Sequence, residues 1–143
     1  MNMKLKILSV GKIKERYIQE GINEYAKRLQ RFCAPDFVVI KDSTVEKEAK
    51  AINEKISNDY VVVLDAGGRQ YSSVEFSNVL KKINKNIVFV IGNENGLSDD
   101  IKKKAHLTLS LSQMTFLHEM TQLILVEQIY RAFSIMKNTW YHK

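Results

Sequence analysis

The sequence has one cysteine and one proline in 143 residues, and each scarcity excludes something. A lone Cys33 can form no internal disulfide and no cysteine-rich zinc site. It falls at the end of an expected helix with no histidine nearby in sequence, so it reads as a half-buried apolar residue. No Pro/Gly/Ser-rich linker, internal repeat or low-complexity run interrupts the chain, and one domain over residues 1–143 is expected. Long apolar runs are missing too. Stretches such as Leu123 to Val126 fall far short of the roughly 20 residues that span a bilayer. The start lacks the basic flank, apolar centre and small-residue cleavage site of a secretory signal. No membrane partner is expected, and a cytoplasmic location follows. P-loop, GxGxxG, HExxH, CxxC and GxSxG motifs are absent, and no metal is expected.

What is present is charge, unevenly spread. The formal net charge is +6. Residues 1–31 hold eight Lys/Arg (Lys4, Lys6, Lys12, Lys14, Arg16, Lys27, Arg28, Arg31) against three acids, Glu15, Glu20 and Glu24. The rest of the chain is close to balanced, with 14 basic residues against 13 acidic ones. A basic N-terminal third suits a phosphate-backbone footprint. A solvated Lys-rich surface fits the charge equally well.

Strand-like and helical patterns alternate along the chain. Leu5 to Val10 reads as a strand ending at Gly11. Glu15 to Phe32 reads as a helix, with Tyr17, Ile18, Ile22, Tyr25, Ala26 and Leu29 as its apolar stripe and Pro35 as its stop. Phe37 to Ile40 is a second strand and Val45 to Ile56 a strongly charged helix. Tyr60 to Leu64 suits a strand buried on both faces, broken by Gly67 and Gly68. Ser72 or Ser73 can cap the next helix, with Glu75 in its first turn. Ile87 to Ile91 is another doubly buried strand, closed by Gly92. Ser98 caps a short helix from Asp99 to Ala105. Leu107, Leu109 and Leu111 alternate with Thr108 and Ser110 as a fifth strand, and a long helix runs from His118 to Lys137.

Such alternation predicts an α/β fold, a parallel sheet with helices on both faces. Ligands in these sheets bind at the carboxyl ends of the strands. Three loops qualify: Asp65 to Gln70, Gly92 to Leu97 and Ser112 to Leu117. Taken alone, Gly92 to Gly96 is simply a tight turn after a strand. The last helix is apolar over roughly 240° of its circumference, where a helix packed on one side of a sheet needs only about 100°. The excess predicts a homodimer, with Ile129 and Phe133 in the interface.

Read together, several segments carry a resemblance. They are Lys4-Leu-Lys-Ile-Leu-Ser-Val-Gly-Lys12 with Tyr25 and Lys27-Arg28-Leu29, and Val88-Phe-Val-Ile-Gly-Asn-Glu-Asn-Gly-Leu97. Further on come Leu109-Ser-Leu-Ser-Gln-Met-Thr-Phe116, His118, Val126-Glu-Gln-Ile-Tyr-Arg-Ala-Phe133 and Tyr141-His-Lys143. Over nearly the full length the chain resembles the RlmH family, SPOUT-class methyltransferases that act on a pseudouridine of 23S ribosomal RNA. That resemblance implies a C-terminal trefoil knot in the sheet, a homodimer, a ribosomal RNA or ribosome partner, and S-adenosyl-L-methionine as cofactor. The implied reaction is methyl transfer to N3 of pseudouridine 1915.

Position by position, the resemblance puts Leu64 beneath the adenosine. It uses Gly92 for close backbone approach and wraps the cofactor with Leu111, Ser112, Gln113, Met114, Thr115 and Phe116. Flat apolar walls and backbone donors are what adenine requires. The C-terminal tail is implied to reach the active site across the dimer, making His142 and Tyr141 catalytic and Lys143 substrate-binding. His118 is assigned to the substrate side. Uracil N3 must lose a proton before it attacks, and His142 and His118 are both candidates for the base. Four positions depart from the family pattern. Asn93 stands where a second Gly is usual, Gln113 for Lys, Leu117 for Pro and Gln122 for Arg. Arg131 beside Glu127 reads as an ion pair, within the chain or across a dimer. Two other readings stay open: a non-catalytic RNA-binding or ribosome-associated module, and a SPOUT methyltransferase with another RNA substrate.

Overall fold

The structure, a computed structural model, describes residues 3–139 and 141. The elements run β1 (Leu5–Val10), α1 (Arg16–Leu29), β2 (Asp36–Ile40), α2 (Val45–Ile56), β3 (Tyr60–Arg69) and α3 (Ser73–Lys82). They continue through β4 (Ile87–Ile91), α4 (Asp99–Lys104), β5 (Leu107–Leu109) and α5 (His118–Met136). The strands form one sheet in the order β2-β1-β4-β3-β5, and every pairing is parallel. The expected α/β architecture is therefore present, with helices on both faces.

The alternation of side chains along a strand explains why the central strands are apolar throughout. On β4, Ile87, Phe89 and Ile91 face one layer, where they join Leu5, Ile7, Phe76 and Leu80 and the α5 residues Leu125, Val126 and Ile129. Val88 and Val90 face the other, with Leu8, Val10, Val61, Val63, Ile52 of α2 and Ile101 of α4. Both faces of β4 are shut off from water, so a polar residue anywhere along it would be stranded.

The helix starts follow their caps. Ser72, rather than Ser73, caps α3: its Oγ accepts from the Glu75 backbone N–H at 3.1 Å, and the Glu75 carboxylate accepts from Ser72 N–H at 2.7 Å. Ser98 caps α4 and Thr44 caps α2 in the simpler way. Helix α1 ends at Leu29, short of the expected Phe32. The N–H groups of Phe32 and Cys33 both bond the Leu29 carbonyl at 2.8 Å, so the chain turns tightly before Pro35.

Two expectations need correction. Gly67 and Gly68 do not end β3, which continues to Arg69 across an irregularity that lets both Leu64 and Arg69 pair with Leu109. Glycine serves a close approach here: a Cβ on Gly68 would lie 2.6 Å from the Thr108 carbonyl oxygen. Second, the width of the apolar arc on α5 is accounted for within one chain. Helix α5 lies between α1 and α3 as well as against the sheet, and no residue from His118 to Met136 is exposed. Gly21 of α1 leaves room for Leu123, Ser73 of α3 hydrogen-bonds Gln128, and Phe32 stacks on Phe133 at 5.7 Å. Ile129 and Phe133 are core residues rather than interface residues, which removes that argument for a second copy.

Among the described residues, no helix is long and apolar enough to cross a membrane, and no group of three or more His, Cys, Asp or Glu could hold a metal ion.

Candidate functional site

A cavity of about 230 Å³ opens at the carboxyl ends of β3, β4 and β5, where this class of sheet binds ligands. Its apolar walls are Leu64, Ile91, Leu97, Leu109, Leu111 and Phe116. Between them stand Asp65, Asn93, Ser112, Thr115, His118 and Thr121, with Lys102 entering from α4.

Three local structures build it. The first is the irregular end of β3, which turns Asp65 and Ala66 into the wall; the Asp65 carboxylate accepts the Gly67 N–H at 3.0 Å. The second is the turn after β4. Gly96 takes a left-handed φ of +77° and donates its N–H to the Asn93 carbonyl at 2.9 Å, while the Asn93 side-chain oxygen accepts the Asn95 N–H. A Cβ on Gly92 would lie 3.0 Å from the Leu97 side chain and 3.2 Å from the Gly96 backbone, so a larger residue there would press on the turn. The third is the stretch from β5 to α5. Ser110 is buried and its hydroxyl lies within bonding distance of the carbonyls of Ala66 (3.0 Å) and Ser112 (2.9 Å), clamping this stretch to the end of β3. Ser112 Oγ then accepts the Met114 N–H at 3.0 Å.

The structure gathers most of the residues expected at the site. Leu64, Gly92, Leu111, Ser112, Met114, Thr115 and Phe116 all line this one cavity, and His118 joins them from the first turn of α5. The N-cap of α5 is Leu117, whose apolar side chain makes no cap bond. Gln113 points elsewhere: it is exposed and outside the lining. Of the other unusual positions, Asn93 lines the cavity, Leu117 is exposed beside it and Gln122 is buried away from it.

Tyr141 is not at the cavity of its own chain. It packs across α1 and α5, with its ring edge-on to Tyr130 at 4.6 Å and its hydroxyl donating to Glu127 at 2.9 Å. Burial, then its bonds to Tyr25 and Glu127, push this phenol well above the usual tyrosine range, so it is a donor at neutral pH. His142 and Lys143 lie outside the described residues. Arg131 pairs with Glu127 at 2.9 Å within α5. Burial alone pushes the Cys33 thiol up to about 11, as its reading as an apolar residue requires.

Asp65 and Ala66, within β3, and Gly96 and Leu97, on the turn after β4, line the cavity without an individual role expected from the sequence. Lys102 was missed. Its place in a Lys102-Lys-Lys104 run at the end of α4 looks like a response to the helix dipole, and only the fold shows that one of the three reaches the cavity.

The family model described as "Predicted SPOUT methyltransferase" matches residues 3–142. The chain belongs to the SPOUT methyltransferase family. A relative from Streptococcus uberis, named ribosomal RNA large subunit methyltransferase H, is 43% identical over 159 residues, covering 99% of this chain and 100% of its own. Its counterpart from Caldicellulosiruptor saccharolyticus, with the same name, is 44% identical over 153 residues, covering 97% of this chain and 99% of its own. The fold is shared more widely. A probable methylase family protein from Haemophilus influenzae Rd KW20 has a TM-score of 0.61 at 14% identity, covering 99% of this chain and 70% of that one. AviRb from Streptomyces viridochromogenes, a SpoU methyltransferase solved with AdoMet, has a TM-score of 0.53 at 12% identity, covering 91% and 57%.

Proposed function

We propose that this SPOUT methyltransferase uses S-adenosylmethionine to methylate 23S ribosomal RNA at N3 of a pseudouridine, position 1915, in the cytoplasm. The observation that carries the reading is the gathering of Leu64, Gly92, Leu111, Ser112, Met114, Thr115 and Phe116, far apart in sequence, around one cavity. Full-length relatives named ribosomal RNA large subunit methyltransferase H support the substrate class.

The cavity's chemistry fits the cofactor. Leu64, Leu97, Leu111 and Phe116 offer flat apolar walls to adenine, Asp65 offers an acceptor to hydroxyl or ammonium groups, and Lys102 offers a cation to a carboxylate. When bound, the cofactor supplies an electrophilic methyl group. The rest falls to the chain: to exclude water, to hold the nucleotide at attack distance and to accept the N3 proton. His118, at the cavity wall, and His142 are the two residues proposed for the substrate side, with Lys143 on a phosphate.

Tyr141 sits outside its own cavity, so a tail that acts catalytically acts on a neighbouring subunit. This supports a homodimer, as do Met114 and Leu117, large apolar side chains exposed at the cavity rim. The trefoil crossing belongs to the same proposal. Its support is the path of the chain from edge strand β5 back to α5 between α1 and α3.

The test is calorimetric titration with S-adenosylmethionine. Wild type gives a saturable signal, and Phe116→Ala lowers affinity about tenfold or more by removing one adenine wall. A wild-type chain that gives no heat would leave the non-catalytic RNA-binding module as the reading.

A further inference from the structure

The segment that joins β1 to α1, residues 11–15, is pinned to both sides of the cavity. At one end the Gly11 N–H bonds the Ile40 carbonyl at 2.8 Å, and the Asp42 carboxylate packs so closely that a Cβ on Gly11 would lie 2.9 Å from it. Asp42 in turn accepts from the side chain of Asn93, a cavity residue, at 2.8 Å. At the other end, one carboxylate oxygen of Glu119 accepts the N–H groups of Lys14 (2.8 Å) and Glu15 (3.0 Å). Glu119 is only 4% exposed, and its neighbour His118 lines the cavity. The N–H groups of the two residues that lead into α1 are thus held by a buried acid from α5. Segment and cavity rim form one construction.

From this tethered segment Lys12 and Lys14 project into solvent, joined by exposed Arg16 and Tyr17 at the start of α1, the latter 61% exposed. The acids nearby are Glu15, exposed on the segment, and Glu20, which pairs with Arg16 at 3.4 Å. With both side chains of that pair mostly in water, the ion pair is weak and Arg16 remains available. Cations interleaved with an exposed aromatic suit a nucleic-acid backbone better than a protein surface.

We infer that Lys12, Lys14, Arg16 and Tyr17 form the docking surface for RNA phosphates that flank the nucleotide entering the cavity, with Glu119 as the residue that positions it. This rests on the RNA reading above and extends it: the basic N-terminal third acts through one segment fixed to the active-site rim. Phosphate contacts set register and leave base choice to the cavity.

The test compares three proteins on ribosomes from a strain that lacks this enzyme. They are wild type, Lys12→Gln/Lys14→Gln/Arg16→Gln, and Lys81→Gln/Lys82→Gln/Lys85→Gln. The last removes the same charge from the opposite end of the sheet, before β4. The first triple variant should bind ribosomes about tenfold or more weakly at moderate salt, with a slope of log affinity on log salt shallower by about 2. Its S-adenosylmethionine affinity and melting temperature stay at wild-type values, and the control triple binds within about twofold of wild type. If wild type binds and the first triple matches it in affinity and slope, the docking surface is wrong while the RNA reading stands. If wild type itself binds no ribosome, the RNA reading fails and takes the surface with it.

Discussion

On one face of the sheet α1, α5 and α3 lie side by side, while on the other α2 and α4 cover the strands. Helices α1 and α2 are apolar on one stripe and charged elsewhere, as one-sided burial demands. Helix α5 is apolar over a much wider arc, because it has neighbours on both flanks as well as beneath. The polar residues it does bury include Glu119, which holds the start of α1, and Gln128 binds Ser73 of α3 from its half-buried side. A wide apolar arc in this α/β protein thus marks the central helix of a three-helix layer. It does not by itself mark an oligomer interface. Helix α5 begins at the cavity with His118 in its wall, so packing and function are closely coupled on that face, while the other face contributes Lys102 from α4.

The sharpest way to break this comparison is Ile129→Asp. A carboxylate at a fully buried site costs several kcal/mol, so the variant should be unfolded at room temperature by circular dichroism. A folded, soluble monomer would restore α5 as an interface helix. Truncations then rank the faces. Ile129→Ala should fall near the top of the usual range of about 2–5 kcal/mol, and Ile52→Ala of α2, with fewer neighbouring helices, near the bottom. Denaturant midpoints in the reverse order would dissolve the distinction.

Gly68→Ala probes where the sheet meets the cavity. Forcing a methyl against the Thr108 carbonyl should cost about 1–3 kcal/mol. Cofactor affinity should fall with it, because Asp65 and Ala66 must move. Affinity unchanged by calorimetry would detach this end of β3 from the site.

A smaller effect is expected from Ser72→Ala at the start of α3, about 1 kcal/mol through loss of the cap. The Ser72 backbone and side-chain bonds hold the Glu75 carboxyl below its ordinary range. That contribution is present at neutral pH and lost as pH falls through the depressed value, so the gap between wild type and variant should narrow in acid. A pH-independent gap would assign the effect to the hydroxyl alone. Smallest of all should be the reactivity of Cys33, which packs against the α5 face. With its thiol raised to about 11, alkylation at pH 8 should be far slower in the native protein than in denaturant. Since the unfolded thiol ionises first, the raised value favours folding below the unfolded pKa, a contribution lost as pH rises toward 11. Equal alkylation rates would show that the residue is open to solvent.

Much of this was legible in the sequence because it is written in local patterns. Doubly buried strands such as Ile87–Ile91 appear as unbroken apolar runs, and Ser72, Ser98 and Gly96 mark their turns and caps. Most of the cavity was legible through resemblance and the rule that ligands sit at strand ends. What escaped depends on which elements meet. The continuation of β3 past Gly67 and Gly68 needs β5 beside it, and the reach of Lys102 needs α4 placed over the cavity. The bonds from Glu119 to Lys14 and Glu15 join residues more than a hundred positions apart. His106 is similar: its Nδ1 accepts the Val61 N–H at 2.9 Å and its ring stacks on Tyr60, a strand-pairing role no short window reveals.

The central claim is that the cavity between β3, β4 and β5 transfers a methyl group to ribosomal RNA. The most direct measurement incubates the purified chain with isotopically labelled S-adenosylmethionine and ribosomes from a strain lacking the enzyme, then maps the labelled nucleotide by mass spectrometry. The account predicts one labelled pseudouridine in 23S ribosomal RNA, and loss of that label in the Phe116→Ala variant when cofactor is limiting. Label confined to another RNA, or no transfer by a wild-type chain that binds the cofactor, would contradict it.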